Sequence, residues 1–391
     1  MKLRVKLLSS TALAAAAVLG VSAASAQDMG ALEKRVQALE KAGGGQYVAR
    51  SKKAMNLVIS GHVNQMAVLV DSGPNSGLVF TGNNQSQTRF RFVGTGKLSD
   101  DLTARTRIEV GDGSNAGDAG ATAENGVAGA SQGAFGIRQM DIRLSSKSMG
   151  AFTIGDSSLP TDGYHVAGDM SGMNIIQDSG DDALLAGQTF RLSAGGGTSG
   201  VQLNGAFSNL DAGRTDHIGY DSPTFAGFKF QTSLSGEDGT NFGLRYGGDF
   251  GGVKVKAGIA YDSVRSGAAD VETVNGSIGV LLPMGLSVFV SAADRDNNSA
   301  ANPDEDRIYA RIGYMFNATE LGQTRLGLAW GQHDDRAAAG DEAERWSIAV
   351  VQVVEPLGAE VYAGYHNFAL DRPGVSIEDV DMITAGMRIS F

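Results

Sequence analysis

Six arginines carry most of the chemistry this chain offers. Arg89 and Arg91 stand two residues apart, as do Arg105 and Arg107. Arg143 sits in a run of the same alternating kind, and Arg191 shares its parity. A guanidinium stays protonated at any biological pH, so it is neither a general base nor a nucleophile. It supplies fixed positive charge, which biases the ions that come near it. A spacing of two sets side chains on one face of an extended strand, so neighbouring strands would gather these arginines on one wall.

The opposite charge gathers elsewhere. Asp162, Asp169, Asp178, Asp181 and Asp182 lie within 159–186, a stretch without alternation that reads as a long loop. Facing the arginines, these aspartates would set a field across the gap between them. They could equally pair with the arginines, as Glu109 and Asp141 could, and pin the loop in place. Screening over about 8 Å in physiological salt restricts any such effect to charges close to the narrowest point.

Other chemistry finds little support. The five histidines, His62, His165, His217, His333 and His366, form no H-E-x-x-H pair, and there is no G-x-S-x-G elbow. No nucleophile and base can be paired, so no enzyme and no cofactor is expected. The absence of cysteine removes thiolate catalysis, disulfides and cysteine-ligated metals. Asp294-x-Asp296-x-Asn298 with Glu305 has the spacing of a calcium loop. Ser299 stands where glycine is needed and the flanks read as strands, so a solvated loop accounts for it better. Gly195-Gly196-Gly197 reads as a turn, because no helical pattern follows it. A formal net charge of −11 disfavours nucleic acid.

The elements that must position the arginines are strands. From Met55 onward, runs of about ten residues alternate with period two. Phe90, Phe92 and Leu98 alternate with Arg89, Arg91 and Lys97, and Ile108 and Val110 with Arg105, Arg107 and Glu109. Ile308, Ile312 and Tyr314 alternate with Arg307 and Arg311. The cations fall on one parity throughout. An arginine facing lipid at mid-bilayer costs roughly 2–4 kcal/mol, so the charged parity must face water and the apolar parity lipid. A soluble sandwich would alternate too, but it would not explain an exported chain, so many runs, and an end on Phe391. In that last run Ile383, Ala385, Met387, Ile389 and Phe391 share the lipid parity, and Arg388 faces water.

We therefore expect an all-β chain, an antiparallel transmembrane β-barrel of 16 to 18 strands occupying 46–391. The uncertain pair is 188–194 and 201–208, which is either two staves or a hairpin folded elsewhere. Short connections at 99–101, 147–150, 283–285 and 356–358 read as periplasmic turns. Stretches at 71–86, 111–134, 159–186, 294–306 and 333–342 read as external loops.

Ahead of the barrel, Lys2, Arg4 and Lys6 precede an apolar, alanine-rich segment that ends in Ala24-Ser25-Ala26. This is the pattern of a cleaved export signal over 1–26. Its removal would take away three cations and no acid. Met29, Leu32, Val36 and Leu39 then recur at helical spacing, so 27–45 reads as a short periplasmic, coiled-coil-like helix and a glycine linker; a helix so short is marginal alone, and a frayed linker fits the segment equally well.

At Tyr220-Asp221-Ser222-Pro223-Thr224-Phe225-Ala226-Gly227-Phe228 the chain resembles the trimeric general-diffusion porins of Gram-negative outer membranes. In that family a strand ending Tyr-x-Ser-Pro turns into one beginning Gly-Phe, and the chain ends in phenylalanine. The resemblance implies an outer-membrane homotrimer of water-filled channels that pass ions and small hydrophilic solutes. It would be surrounded by lipid and lipopolysaccharide. It also implies that the third external loop, 159–186, folds inward as a constriction, and that Phe391 is read by the barrel-assembly machinery. The loop lacks the Pro-Glu-Phe-Gly-Gly run of enterobacterial members. Two other readings stand beside this one: a barrel that tethers the envelope through its N-terminal helix, and a substrate-selective channel, including one for an anion.

Overall fold

The computed structural model describes residues 47–50, 55–112, 122–123, 135–179, 184–236, 238–266, 269–299 and 303–391. The export signal expected at 1–26, the helical segment at 27–45, and Asp181 and Asp182 lie outside these residues.

The strands in chain order are β1 Tyr47–Arg50, β2 Met55–Asp71, β3 Ser76–Gly82, β4 Arg89–Lys97, β5 Leu102–Asp112, β6 Phe135–Ser146 and β7 Gly150–Ser158. There follow β8 Thr189–Leu192, β9 Thr198–Gln202, β10 Arg214–Asp221, β11 Phe228–Ser235, β12 Gly239–Phe250, β13 Val253–Ser266 and β14 Ala269–Leu281. The last are β15 Leu286–Asp296, β16 Glu305–Thr319, β17 Gly322–Asp334, β18 Glu342–Val354, β19 Ala359–Asp371, β20 Ile377–Glu378 and β21 Val380–Ser390.

The long strands form one antiparallel sheet that closes on itself. β21 pairs with β19 on one side and with β2 on the other, where His62 faces Ser390 and Asp71 faces Asp381. Closure leaves no unpaired edge for lipid to meet. The barrel has sixteen staves. β3 and β4 are two halves of the second, since β2 pairs with β4 as far as His62↔Arg89 and with β3 from Gln65↔Gly82.

Sixteen is the lower of the expected counts, and the uncertain hairpin is the one folded elsewhere. β8, β9 and β20 make a separate three-stranded sheet. Arg191 belongs to it, opposite Glu378, so it does not stand on the barrel wall beside the other arginines. The alternation at 188–194 arises because Phe190 is fully buried in an internal core, not because it meets lipid. The third external connection is correspondingly longer than 159–186 and runs to β10. The stretch 71–86 is not a loop throughout either: it holds β3 between a four-residue turn at 72–75 and a short 3₁₀ turn, Asn84–Ser86.

Along the middle of the staves the outer face is apolar and exposed, at Ile308, Ile312, Leu328, Ile348, Ile383, Met387 and Ile389 among others. So broad an exposed apolar surface belongs in a bilayer, not in water. Arg307 and Arg311 turn inward and are fully buried. The lumen also holds an unexpected apolar core. Met66, Val68 and Val70 of β2, Tyr362 and Phe368 of β19, and Val380 and Met382 of β21 pack with Met173, Ile176, Leu184, Leu185, Phe190 and Leu203 of the third connection.

Candidate functional site: an arginine wall and an infolded loop

Strand pairing brings five of the predicted arginines together on the inner face of β4, β5 and β6. Arg91 lies opposite Glu109, Arg107 opposite Asp141, and Arg105 opposite Arg143. Like charges facing each other across a ladder repel, and here buried carboxylates sit between them. Glu109 is shared by Arg91, by Arg89 at 3.5 Å and by Arg138 at 3.1 Å. Asp141 takes Arg105 on one oxygen and Arg107 on the other, each at 2.5 Å. Asp221 on β10 receives Arg143, with Lys229 of β11 at 3.6 Å.

The wall is therefore not neutral. Seven cations, Arg89, Arg91, Arg105, Arg107, Arg138, Arg143 and Lys229, share three carboxylates. Glu109 and Asp141 are shut away from solvent, whereas the side chains of Arg91 and Arg105 keep 40% and 30% of their exposure. Water in the lumen meets guanidinium and not carboxylate.

The third connection lies against the opposite side of the lumen. Tyr164 is the first anchor. Its ring fills the space left by Gly258 on β13, whose missing Cβ would stand 3.0 Å from the ring, and its hydroxyl donates to Gln231 at 3.0 Å. The guanidinium of Arg245 stacks over the ring, 4.3 Å from its centroid. Ser277 on β14 donates to the Tyr164 carbonyl at 2.6 Å and accepts from the Gly168 amide at 3.0 Å. Further along, Gln177 donates to the carbonyls of Gly327 and Ser347, each at 3.2 Å, and Arg307 donates to the Ser179 carbonyl at 2.9 Å. The loop is thus laid across the inner wall from β13 to β18.

This seating draws Asp169 and Asp178 away from the arginine wall. Asp169 pairs with Arg311 of β16, behind the loop. Asp178 and Asp211 hold His165 between them, Asp178 at 3.1 Å from Nε2 and Asp211 on Nδ1. Burial alone would push the imidazole pKa down, but the two carboxylates outweigh it and push it up to about 10. Burial likewise opposes ionisation of Asp178, yet the imidazolium holds its carboxyl below the usual range. Asp162 is raised by burial and by neighbouring Asp211. Its carbonyl accepts from Arg245 at 3.0 Å. Glu305, from the calcium-like spacing, points to Arg295 at 3.4 Å and Arg336 at 2.7 Å. Among the described residues no group of three or more acidic or histidine side chains converges as a metal site.

Sequence reasoning missed Arg138, Lys229, Asp211 and the apolar lumen. A bulge between Glu109 and Val110 shifts the register beside Arg138, so counting by twos could not place it. The apolar lumen did leave a signal. Met66-Ala67-Val68-Leu69-Val70 is a continuous apolar run, the mark of a strand covered on both faces.

The family model described as Gram-negative porin matches residues 9–372. None of the curated proteins compared matches the chain. Among solved structures, the anion-selective porin from Comamonas acidovorans is similar at 15% identity, covering 86% of this chain and 100% of that one, with a TM-score of 0.55. The outer membrane channel DcaP of Acinetobacter baumannii is 14% identical over 88% of this chain and 99% of its own, with a TM-score of 0.57. A trimer form of the Vibrio cholerae outer membrane protein OmpT is 13% identical over 87% and 100%, also with a TM-score of 0.57. At such identities these likenesses speak for the fold. With the family match over almost the whole length and the closed sixteen-stave barrel, this chain belongs to the Gram-negative porins, the diffusion channels of the outer membrane.

Proposed function

We propose that this porin passes small hydrophilic solutes with a preference for anions, along the gap between the arginine wall and the infolded loop. The observation that carries the reading is the imbalance of seven cations to three carboxylates on one side. On the other, Asp169 is paired with Arg311, and Asp178 and Asp211 share His165, so these carboxylates are engaged behind the path. An eyelet with unmatched charge of one sign raises the local concentration of counter-ions and admits them preferentially. The strongly acidic whole-chain balance does not oppose this, because selectivity depends on charges within about 8 Å of the path. The name of the similar anion-selective porin agrees with it.

A homotrimer is part of the proposal, supported by the trimer form of a structural relative. So are a signal cleaved after residue 26, a periplasmic helix at 27–45, contact with lipid and lipopolysaccharide, and a protein that carries out no catalysis. In planar bilayers, purified protein should give an ohmic current and, in a potassium chloride gradient, a reversal potential of anion-preferring sign. A cation-preferring sign would refute the selectivity. Saturable, competable flux would favour a substrate-specific channel.

A further inference from the structure

The second stave is interrupted in a way that barrel closure does not require. β2 pairs with β3 down to Gln65↔Gly82 and with β4 from His62↔Arg89. Two residues, Val63 and Asn64, therefore span what six, 83–88, span on the partner. The four surplus residues do not loop outward. They fold into the lumen as a short 3₁₀ turn, Asn84–Ser86, capped by the Asn83 side chain, which accepts from the Gln85 amide at 3.0 Å.

The base of this excursion is fixed by a buried chain of hydrogen bonds. Asn83 donates to the Ile175 carbonyl of the infolded loop at 2.7 Å and to the Tyr362 hydroxyl at 3.0 Å. Tyr362 donates to Asn64 at 2.7 Å, and Asn64 donates back to the Ser86 carbonyl at 2.9 Å. Asn64 and Asn83 are fully buried and Tyr362 nearly so. A polar network closed in this way is rigid, because opening any link strands a buried donor or acceptor. The tip is different. Gln87 remains partly exposed, and its side chain reaches Arg138 of the arginine wall and the Asp112 carbonyl.

We infer that the excursion 83–88 is a second constriction element. Its tip narrows the anion path beside Arg138, and its base, through Asn83, sets how far the infolded loop stands from the arginine wall. Asn83 is then a positioning residue, since it acts through the loop, and Gln87 borders the path itself. The inference rests on the path proposed above, and it adds that the narrowing is built from two elements instead of one.

The register supplies a clean test. Deleting Asn84 to Gln87 leaves Asn83 opposite Asn64, Thr88 opposite Val63 and Arg89 opposite His62. Because four is even, every downstream side chain keeps its face. Folding is checked by the heat-dependent shift of the barrel on gel electrophoresis, and single-channel conductance is read in potassium chloride. We expect a folded channel whose conductance rises about twofold, since a narrow segment dominates the resistance of a pore. Gln87→Ala keeps the backbone and does not depend on rejoining the strand. It should give a smaller rise and a shift of reversal potential further toward anions, because Arg138, still paired with Glu109, loses the side chain that covers it. A folded deletion variant with unchanged conductance overturns the inference, as does an unchanged Gln87→Ala channel if the deletion does not fold. Neither result touches the anion preference of the parent channel, which is measured separately by its own reversal potential.

Discussion

Arg311 on β16 and Asp169 in the infolded loop form an ion pair almost wholly shut away from water, with side-chain exposures of 0% and 6%. An aspartate expected to charge the aqueous path is instead a rivet behind the loop. Removing one partner of such a pair leaves an uncompensated buried charge at a cost of about 3–5 kcal/mol. Arg311→Ala should therefore loosen the loop without unfolding the barrel, giving larger and noisier single-channel currents. Arg311→Met combined with Asp169→Leu removes both charges and should restore quiet currents. If the single variant is as quiet as the parent, the pair is not what holds the loop.

The second rivet gives the loop a pH window. The pKa of His165 is raised from 6.5 to about 10, so its contribution to stability is complete below about 6.5 and is lost as pH climbs through 10. Asp178, held below the usual carboxylate range, contributes above its ordinary value and loses that contribution as pH falls through the lowered one. Channel noise and cleavage of the loop by added protease should stay low from neutral pH to about 9 and rise beyond 10. His165→Gln should show the loosened behaviour already at neutral pH. A loop equally protected at pH 7 and pH 11 would show that the imidazolium does not lock it.

Gly258 leaves the space that Tyr164 occupies, with the Tyr164 ring 3.0 Å and the Ala167 Cβ 2.8 Å from where a side chain would begin. Gly258→Leu should fill that space and press the loop toward the arginine wall. Conductance should fall by roughly a third or more while the barrel still assembles. Unaltered conductance in a folded Gly258→Leu channel would mean that Tyr164 is not a seat for the loop.

How far the architecture could be read from the chain differs from residue to residue. Arg89, Arg105 and Arg307 announced their face because lipid excludes charge, and that one rule oriented the staves. It said nothing of Phe190 or Arg191, since alternation looks the same whether the apolar side meets lipid or a second sheet inside the lumen. Asp169 and Asp178 were found as acids but not as rivets. Their partners Arg311 and His165 stand 142 and 13 residues away in the chain, and only the fold brings them together. The continuous apolar run Met66 to Val70 of β2 was legible as a strand with two apolar faces: Leu69 is exposed on the outside, and Met66, Val68 and Val70 are buried in the filled lumen.

Phe391 closes the barrel as well as ending the chain. Its amide donates to the Gly61 carbonyl and its carbonyl accepts from the Gly61 amide, both at 2.9 Å, so it extends the β21 to β2 seam by one residue. The residue is 54% exposed, on the outward parity it shares with Ile389. Deleting Phe391 should reduce insertion into the outer membrane, and Phe391→Ala, which keeps both backbone bonds, separates the causes. If Phe391→Ala inserts as poorly as the deletion, the ring is the assembly signal. If only the deletion fails, the seam is at fault. Normal insertion of both would leave Phe391 with neither role.

The proposed anion preference rests on the unmatched cations of the arginine wall. It is tested most directly by the reversal potential of the Arg105→Glu, Arg107→Glu double variant in a potassium chloride gradient, against the parent channel. Two charge reversals turn the excess of four cations on the wall into balance. The anion-to-cation permeability ratio should therefore drop at least about twofold. A folded, conducting double variant with the parent's reversal potential would contradict the account.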